Sequence, residues 1–249
     1  MKRKVTLVTG AGRGIGQAAC LELGRAGHDL AMIYHQDRRS AEQTASQVRK
    51  YGVQVMTIQA DVRERAAISE AFRLADADLG PLTGLVNNAG IVGDKARLED
   101  MSESRLEKMF ATNVLGAIYC CQEAIRLMSP HHGGHGGSIV NVSSAAARIG
   151  APGEYVDYAA SKGAVDTLTL GLSKELAEEG IRVNCVRPGV IDTDIHASGG
   201  QPDRALRLSD QIPMRRPGQA SEVANAICWL LSDAASYCTG TIIDVSGGR

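Results

Sequence analysis

The amino-acid sequence predicts a single-domain α/β fold: a seven-stranded parallel sheet, doubly wound, with helices on both faces. Three observations carry this expectation. Seven short apolar, β-branched runs alternate with longer amphipathic stretches along the whole chain, the pattern of a parallel sheet buried on both sides. The first run leads directly into a glycine-rich turn and then a helix. No Pro/Ser-rich linker, composition shift or internal repeat divides the 249 residues, so one domain over 1–249 is expected.

Val-Thr-Leu-Val-Thr at 5–9 is strand-like, and the helix after its turn covers 15–26. The apolar run at 30–34 is the second strand, followed by a helix at 39–51. A third strand at 53–59 precedes a helix at 63–78, and a fourth occupies 84–87. One long helix is expected over 104–128, with a strand at 138–143 after it. A helix at 156–179, a strand at 182–187, a helix at 220–231 and a strand at 241–245 complete the alternation. Right-handed crossovers between parallel strands make the fold doubly wound. Residues 192–214 lack clear patterning and hold Gly199-Gly200 and two prolines, Pro202 and Pro213; such a segment beside a site reads as a substrate lid.

Thr9-Gly10-Ala11-Gly12-Arg13-Gly14-Ile15-Gly16 lies between a strand and a helix, the context in which glycines let a pyrophosphate approach free helix N–H groups. The end of the second strand should face the adenosine ribose, where an acidic residue selects NAD. Here it reads Tyr34-His35-Gln36-Asp37-Arg38, with Tyr34 aligned to the acid. Arg13 and Arg38 can both serve a 2′-phosphate through bidentate guanidinium geometry, so NADP is expected. The competing reading has Asp37 on the ribose, and NAD.

Tyr158 and Lys162 are four residues apart, one turn of a helix and one face. A phenol near pKa ~10 is a poor acid or base at neutral pH, and an adjacent ammonium favours its ionised form. The pair is a plausible proton-transfer site.

Thr9-Gly10-x-x-x-Gly14-x-Gly16, Asn87-Asn88-Ala89-Gly90, Asn113, Ser144, Tyr158-x-x-x-Lys162 and Pro188-Gly189 occur in that order and span the chain. Together they resemble the short-chain dehydrogenase/reductase family, which implies a Rossmann-like fold and interconversion of a ketone or aldehyde with an alcohol. The resemblance makes Tyr158 the general acid/base and Lys162 the residue that lowers its pKa and binds the nicotinamide ribose. Ser144 orients the substrate oxygen, with Ser143 as the alternative, and Asn113 holds a relay water. Asp61-Val62 matches the segment against the adenine, and Asn87, Ala89 and Gly90 the floor beneath the cofactor. Pro188, Gly189, Ile191 and Thr193 match the segment that holds the carboxamide. The family further implies a homotetramer, less often a dimer.

With 27 basic against 28 acidic residues and a net charge of −1, the chain offers no electrostatic footprint for nucleic acid or an anionic membrane. Six cysteines without Cys-x-x-Cys spacing read as reduced and structural, which fits a cytoplasmic protein. His131-His132-Gly133-Gly134-His135 reads as a solvated loop, Cys120-Cys121 as helix packing and Trp229 as core or interface; no metal is expected. An acidic carrier protein, the partner of 3-oxoacyl reductases, would meet Glu178-Glu179 and lack basic residues at Ser129-Pro130-His131-His132, which disfavours it. Polar residues before Tyr158 suit a hydroxylated or sugar-like small molecule.

Overall fold

The computed structural model describes residues 3–194 and 199–249. Seven strands form one all-parallel sheet: β1 (Val5–Thr9), β2 (Asp29–Tyr34), β3 (Val55–Gln59), β4 (Leu82–Asn87), β5 (Gly137–Val142), β6 (Ile181–Pro188) and β9 (Ile242–Val245), ordered β3-β2-β1-β4-β5-β6-β9. The order reverses between β1 and β4, where Leu7 lies opposite Leu85 and Val8 opposite Val86. That reversal opens the crevice in which such sheets bind ligands.

Side-chain alternation splits the core in two. Leu7, Leu85 and Ile139 face α3 (Arg65–Leu79) and α5 (Gly116–Met128), through residues such as Phe72 and Cys120. Val8, Val86 and Val140 face α1 (Gly14–Arg25), α2 (Arg38–Arg49) and α9 (Ala220–Leu231), through Leu23, Val48 and Ile227. Both faces of the central strands are therefore dry, which is why their sequences are continuously apolar.

The expected helix at 104–128 is interrupted. It forms as α4 (Glu103–Phe110), a π turn (Ala111–Leu115) and α5. One tertiary contact lies within the wide turn and one just after it: Asn113 is bonded to the loop after β4, and Gly116 meets Val62 so closely that a Cβ would come within 2.8 Å of its Cγ2. Helical periodicity gives no sign of such an insertion, and π turns of this kind gather at functional sites. The next long helix, α7 (Val156–Glu175), stops four residues earlier than expected and passes through a 3₁₀ turn (Ala177–Glu179) to Gly180 at φ +68°. Three pieces too short for periodicity were not expected: α6 (Ala146–Ile149), α8 (Arg204–Arg207), and a small sheet pairing β7 (Ile191–Asp192) with β8 (Gly218–Gln219). Of the expected lid at 192–214, residues 195–198 lie outside the described residues.

Cys20, Cys120, Cys121 and Cys185 are buried free thiols, and burial pushes Cys121 and Cys185 up to about 12. No described helix is long and apolar enough to cross a membrane.

Candidate active site

A cavity of about 680 Å³ opens at the carboxyl ends of the strands and is lined by Ser144, Tyr158, Lys162, Gly189 and Thr193 among others. The first turn of α7 that carries Tyr158 is held by a buried ion pair. Arg105 of α4 donates from Nε and Nη2 to the two carboxylate oxygens of Asp157 at 2.8 and 3.1 Å, and from Nη1 to the Asp94 carbonyl at 2.6 Å. This fork ties α4 and the loop after β4 to the residue immediately before Tyr158.

Lys162 is buried, donates from Nζ to the Val142 carbonyl at 2.8 Å and stands over the Tyr158 ring, 5.7 Å from its centroid. Desolvation lowers its pKa to about 8. Burial pushes the Tyr158 phenol above its ordinary value; a hydrogen bond with Ser144 and the positive charge of Arg204 oppose that rise. Lys162 stands beside this phenol while donating to Val142. Its ammonium is drawn to a strand-end carbonyl over the ring face, and the opposing groups are Ser144 and Arg204.

Ser143 turns away from the cavity's reacting side, its Oγ donating to the Lys162 carbonyl at 3.0 Å. Ser144 is the serine bonded to Tyr158, and its Oγ accepts from the Ala146 N–H at 3.1 Å. Asn113 is 1 % exposed. Its Oδ1 accepts from the Ile91 N–H at 2.8 Å, and its Nδ2 donates to the Ile91 carbonyl at 3.0 Å and the Ser161 Oγ at 3.0 Å. Both ends of the amide thus have protein partners.

Around the glycine turn, Gly10 and Gly14 take φ of +65° and +56°, which side chains resist. A Cβ on Gly16 would sit 2.2 Å from the Gly10 carbonyl oxygen. The turn is locked to the end of β4 by two motif residues to which sequence reading assigned no role of their own. Thr9 Oγ1 accepts from the N–H groups of Asn88 and Ala89 at 3.0 and 2.9 Å, and Asn88 Nδ2 donates to the Thr9 carbonyl at 2.9 Å. Their signal was a hydroxyl and an amide at two adjacent strand ends. At the start of α1, Arg13 is the N-cap, and no side chain caps the helix. Four N-terminal N–H groups normally need partners there, so this terminus and its side-chain-free approach fit a pyrophosphate. Gly90 extends the cradle: a Cβ there would come 3.4 Å from Lys162 Nζ.

At the adenosine end, Asp37 is used as the N-cap of α2, accepting from the Ser40 N–H at 3.0 Å and Oγ at 2.6 Å. Arg13 and Arg38 are exposed and form no salt bridge among the described residues, and Arg13 lies within electrostatic reach of Asp37. His35 Nε2 is 3.3 Å from Asp61 Oδ2, and Asp61 also receives the Arg63 guanidinium at 2.6 Å.

Three expected cofactor contacts need correction as side-chain contacts. Asn87 turns into the core, where its Nδ2 donates to the Ala117 carbonyl at 2.9 Å. Tyr34 and Val62 are each 8 % exposed, and Val62 packs on Gly116. On the opposite wall, the Gly189 N–H donates to the Val245 carbonyl at 3.0 Å. Ile191 is buried and Thr193 Cγ2 faces Gly14, 3.5 Å from where its Cβ would be.

The segment after residue 199 supplies groups that patterning did not single out. Arg204 Nη2 donates to Glu154 Oε2 at 2.9 Å, and its guanidinium lies 5.3 Å from the Tyr155 ring centroid. Gln201 bridges Tyr155 and Arg207.

Residues 10–249 match the model of a protein family described as Enoyl-(Acyl carrier protein) reductase. Uncharacterized oxidoreductase YgfF of Escherichia coli (strain K12) is 50 % identical over 245 residues, covering 98 % of this chain and 99 % of that protein. A short chain dehydrogenase from Burkholderia cenocepacia J2315, solved in complex with NADP, superposes with a TM-score of 0.90 at 31 % identity, covering 98 % and 97 % of the two chains. The 3-ketoacyl-(acyl-carrier-protein) reductase from Brucella melitensis, complexed with NADH, superposes with a TM-score of 0.91 at 29 % identity, covering 99 % and 98 %.

Proposed function

The chain belongs to the short-chain dehydrogenase/reductase family, a family of nicotinamide-dependent oxidoreductases, and we propose that it interconverts a small ketone or aldehyde and its alcohol with NADP(H). The observation that carries the reading is that Ser144 and Tyr158 line one cavity while the buried Lys162 stands over the Tyr158 ring. When bound, the nicotinamide supplies or accepts the hydride. Tyr158 holds the proton: its phenol O–H donates it to the carbonyl oxygen during reduction and takes it back during oxidation. Ser144 orients that oxygen by a second hydrogen bond. Lys162 holds the nicotinamide ribose, and Asn113, whose side chain fixes the loop after β4, holds the relay water. A phenol kept above its ordinary value by burial is suited to remaining protonated as the acid of the reductive direction.

The Gly10–Gly16 turn and the start of α1 would hold the pyrophosphate. Arg13 and Arg38 select the 2′-phosphate; Asp37, already engaged as a helix cap, is a poor ribose ligand. We read the chain as one cytoplasmic cofactor-binding domain that works as a homotetramer, with residues 192–214 as the substrate lid. A spectrophotometric screen of ketones, aldoses and polyols with both cofactors tests this. Turnover of a carbonyl compound with NADPH preferred is expected; a tenfold or greater preference for NADH would reverse the cofactor assignment.

The names of the matched family and of the Brucella melitensis reductase favour a second reading, reduction of 3-oxoacyl thioesters on a carrier protein. It predicts faster turnover of a carrier-linked thioester than of the same acyl group on a short thiol.

A further inference from the structure

Three of the described buried side-chain polar atoms lack a hydrogen-bond partner: Gln122 Oε1, Arg204 Nε and Arg249 Nη1. Two of the three belong to guanidiniums on the wall of the active-site cavity. Burying a donor without an acceptor is disfavoured, and proteins tolerate it where a ligand completes the set. Arg207 lines the same wall. Among the described residues lining the cavity, the one acidic side chain is Glu154, which Arg204 contacts at 2.9 Å and Lys95 at 3.7 Å. The Arg249 main-chain oxygen accepts from Arg148 Nη2 at 2.9 Å and from Ser246 Oγ at 2.9 Å, so that end is already partnered. Arg204 is held in place: its side chain is 15 % exposed and lies over the Tyr155 ring.

Resting on the reading of this cavity as the site of carbonyl reduction, we propose that its substrate is an oxo acid or the corresponding hydroxy acid, whose carboxylate binds Arg204 with Arg207 and Arg249 beside it. A carboxylate fits because guanidinium presents parallel N–H donors to its two oxygens. Glu154 occupies part of that donor set and cancels one positive charge, so the wall has room for one compact anion. Arg204 and Tyr158 line the same cavity of about 680 Å³, so one short substrate can reach both the guanidinium and the phenol. Neutral sugars and polyols offer hydroxyl acceptors to the buried N–H groups but no negative charge to set against the guanidiniums.

The test is a calorimetric titration of the protein saturated with NADPH, or with NADH where that binds better, using pentanoate and its neutral isostere pentanamide. Pentanoate is expected to bind at least about tenfold more tightly, the scale of one charge-assisted contact. Arg204→Gln should remove the preference while cofactor affinity stays unchanged, which also shows that the variant is folded. Glu154→Gln, by releasing Arg204, should strengthen pentanoate binding, an effect that a merely structural Arg204–Glu154 pair would not produce. Steady-state rates should agree, with 4-oxopentanoate preferred over its methyl ester through KM. Equal affinity for acid and amide, no binding of either, or a preference that survives Arg204→Gln would overturn the inference while leaving carbonyl reduction intact. Loss of binding to both dinucleotides would overturn that broader reading as well.

Discussion

Asn113 grips Ile91 by both main-chain groups, accepting from its N–H at 2.8 Å and donating to its carbonyl at 3.0 Å. An amide side chain here acts as a stand-in for a neighbouring strand. It fixes the loop after β4 against the π turn, and Gly90, the residue before Ile91, lies 3.3 Å from Asn113 Oδ1 by its virtual Cβ. The side chain therefore shapes the cofactor floor from below.

Asn113→Ala should cost about 2–4 kcal/mol, because two backbone groups near the interior lose their partners at ~1–3 kcal/mol each, less what water recovers. Chemical denaturation would show the loss, and dinucleotide titration should show weaker binding. A variant with native stability would mean the loop finds other partners.

Tyr158→Phe should retain dinucleotide affinity and lose activity by roughly 10²–10⁴-fold, the range for a positioned general acid. Ser144→Ala should lose less, since Tyr158 stays in place. Substantial turnover by the phenylalanine variant would remove Tyr158 from the chemistry.

The pH profiles should differ by direction. Alcohol oxidation needs the phenolate, and burial raises that phenol's pKa, so oxidation should climb with pH through the alkaline range. Reduction needs the phenol protonated, so Tyr158 itself costs it nothing until well into that range. Lys162 titrates near 8, so loss of its ammonium should weaken dinucleotide binding above that pH. A titration of cofactor affinity at pH 7 and pH 9 checks this.

Arg105→Ala should destabilise the protein by about 3–5 kcal/mol, because Asp157, with no exposed side-chain surface, is left as an uncompensated buried charge. Replacing both partners by apolar residues of similar size should recover much of the loss. Equal thermal midpoints for the single and double variants would argue against this account.

His28 should make stability acid-sensitive. The ring is buried beside Thr6, with Nδ1 2.8 Å from Oγ1, and desolvation first, then Lys4, lowers its pKa from 6.5 to about 4. The unfolded chain therefore binds more protons between those values, so the contribution is complete above pH 6.5 and lost as pH falls to about 4. It amounts to roughly 3 kcal/mol. Denaturation curves of the native protein and His28→Asn, compared at pH 7 and pH 4.5, should converge at the lower pH.

The sequence by itself determined the alternation of strands and helices, the parallel sheet and the order of the site motifs. Those properties are local: period, glycine placement and a four-residue spacing survive in one dimension. It also put Tyr158 and Lys162 on one helix face. Only tertiary structure decided which serine meets Tyr158, because Ser143 and Ser144 are neighbours whose directions depend on how α7 packs at the end of β5. Likewise it decided that Asn87 serves the core, that Asn113 serves Ile91 and that Asp37 caps a helix. Each of these polar groups had several possible partners in the chain; burial restricted those of Asn87 and Asn113, while the exposed Asp37 is held by the start of its own helix. The cavity wall of Arg204, Arg207 and Arg249 was least legible of all. Its members come from an unpatterned segment and the last residue of the sequence, and only folding brings them to the same side of Tyr158.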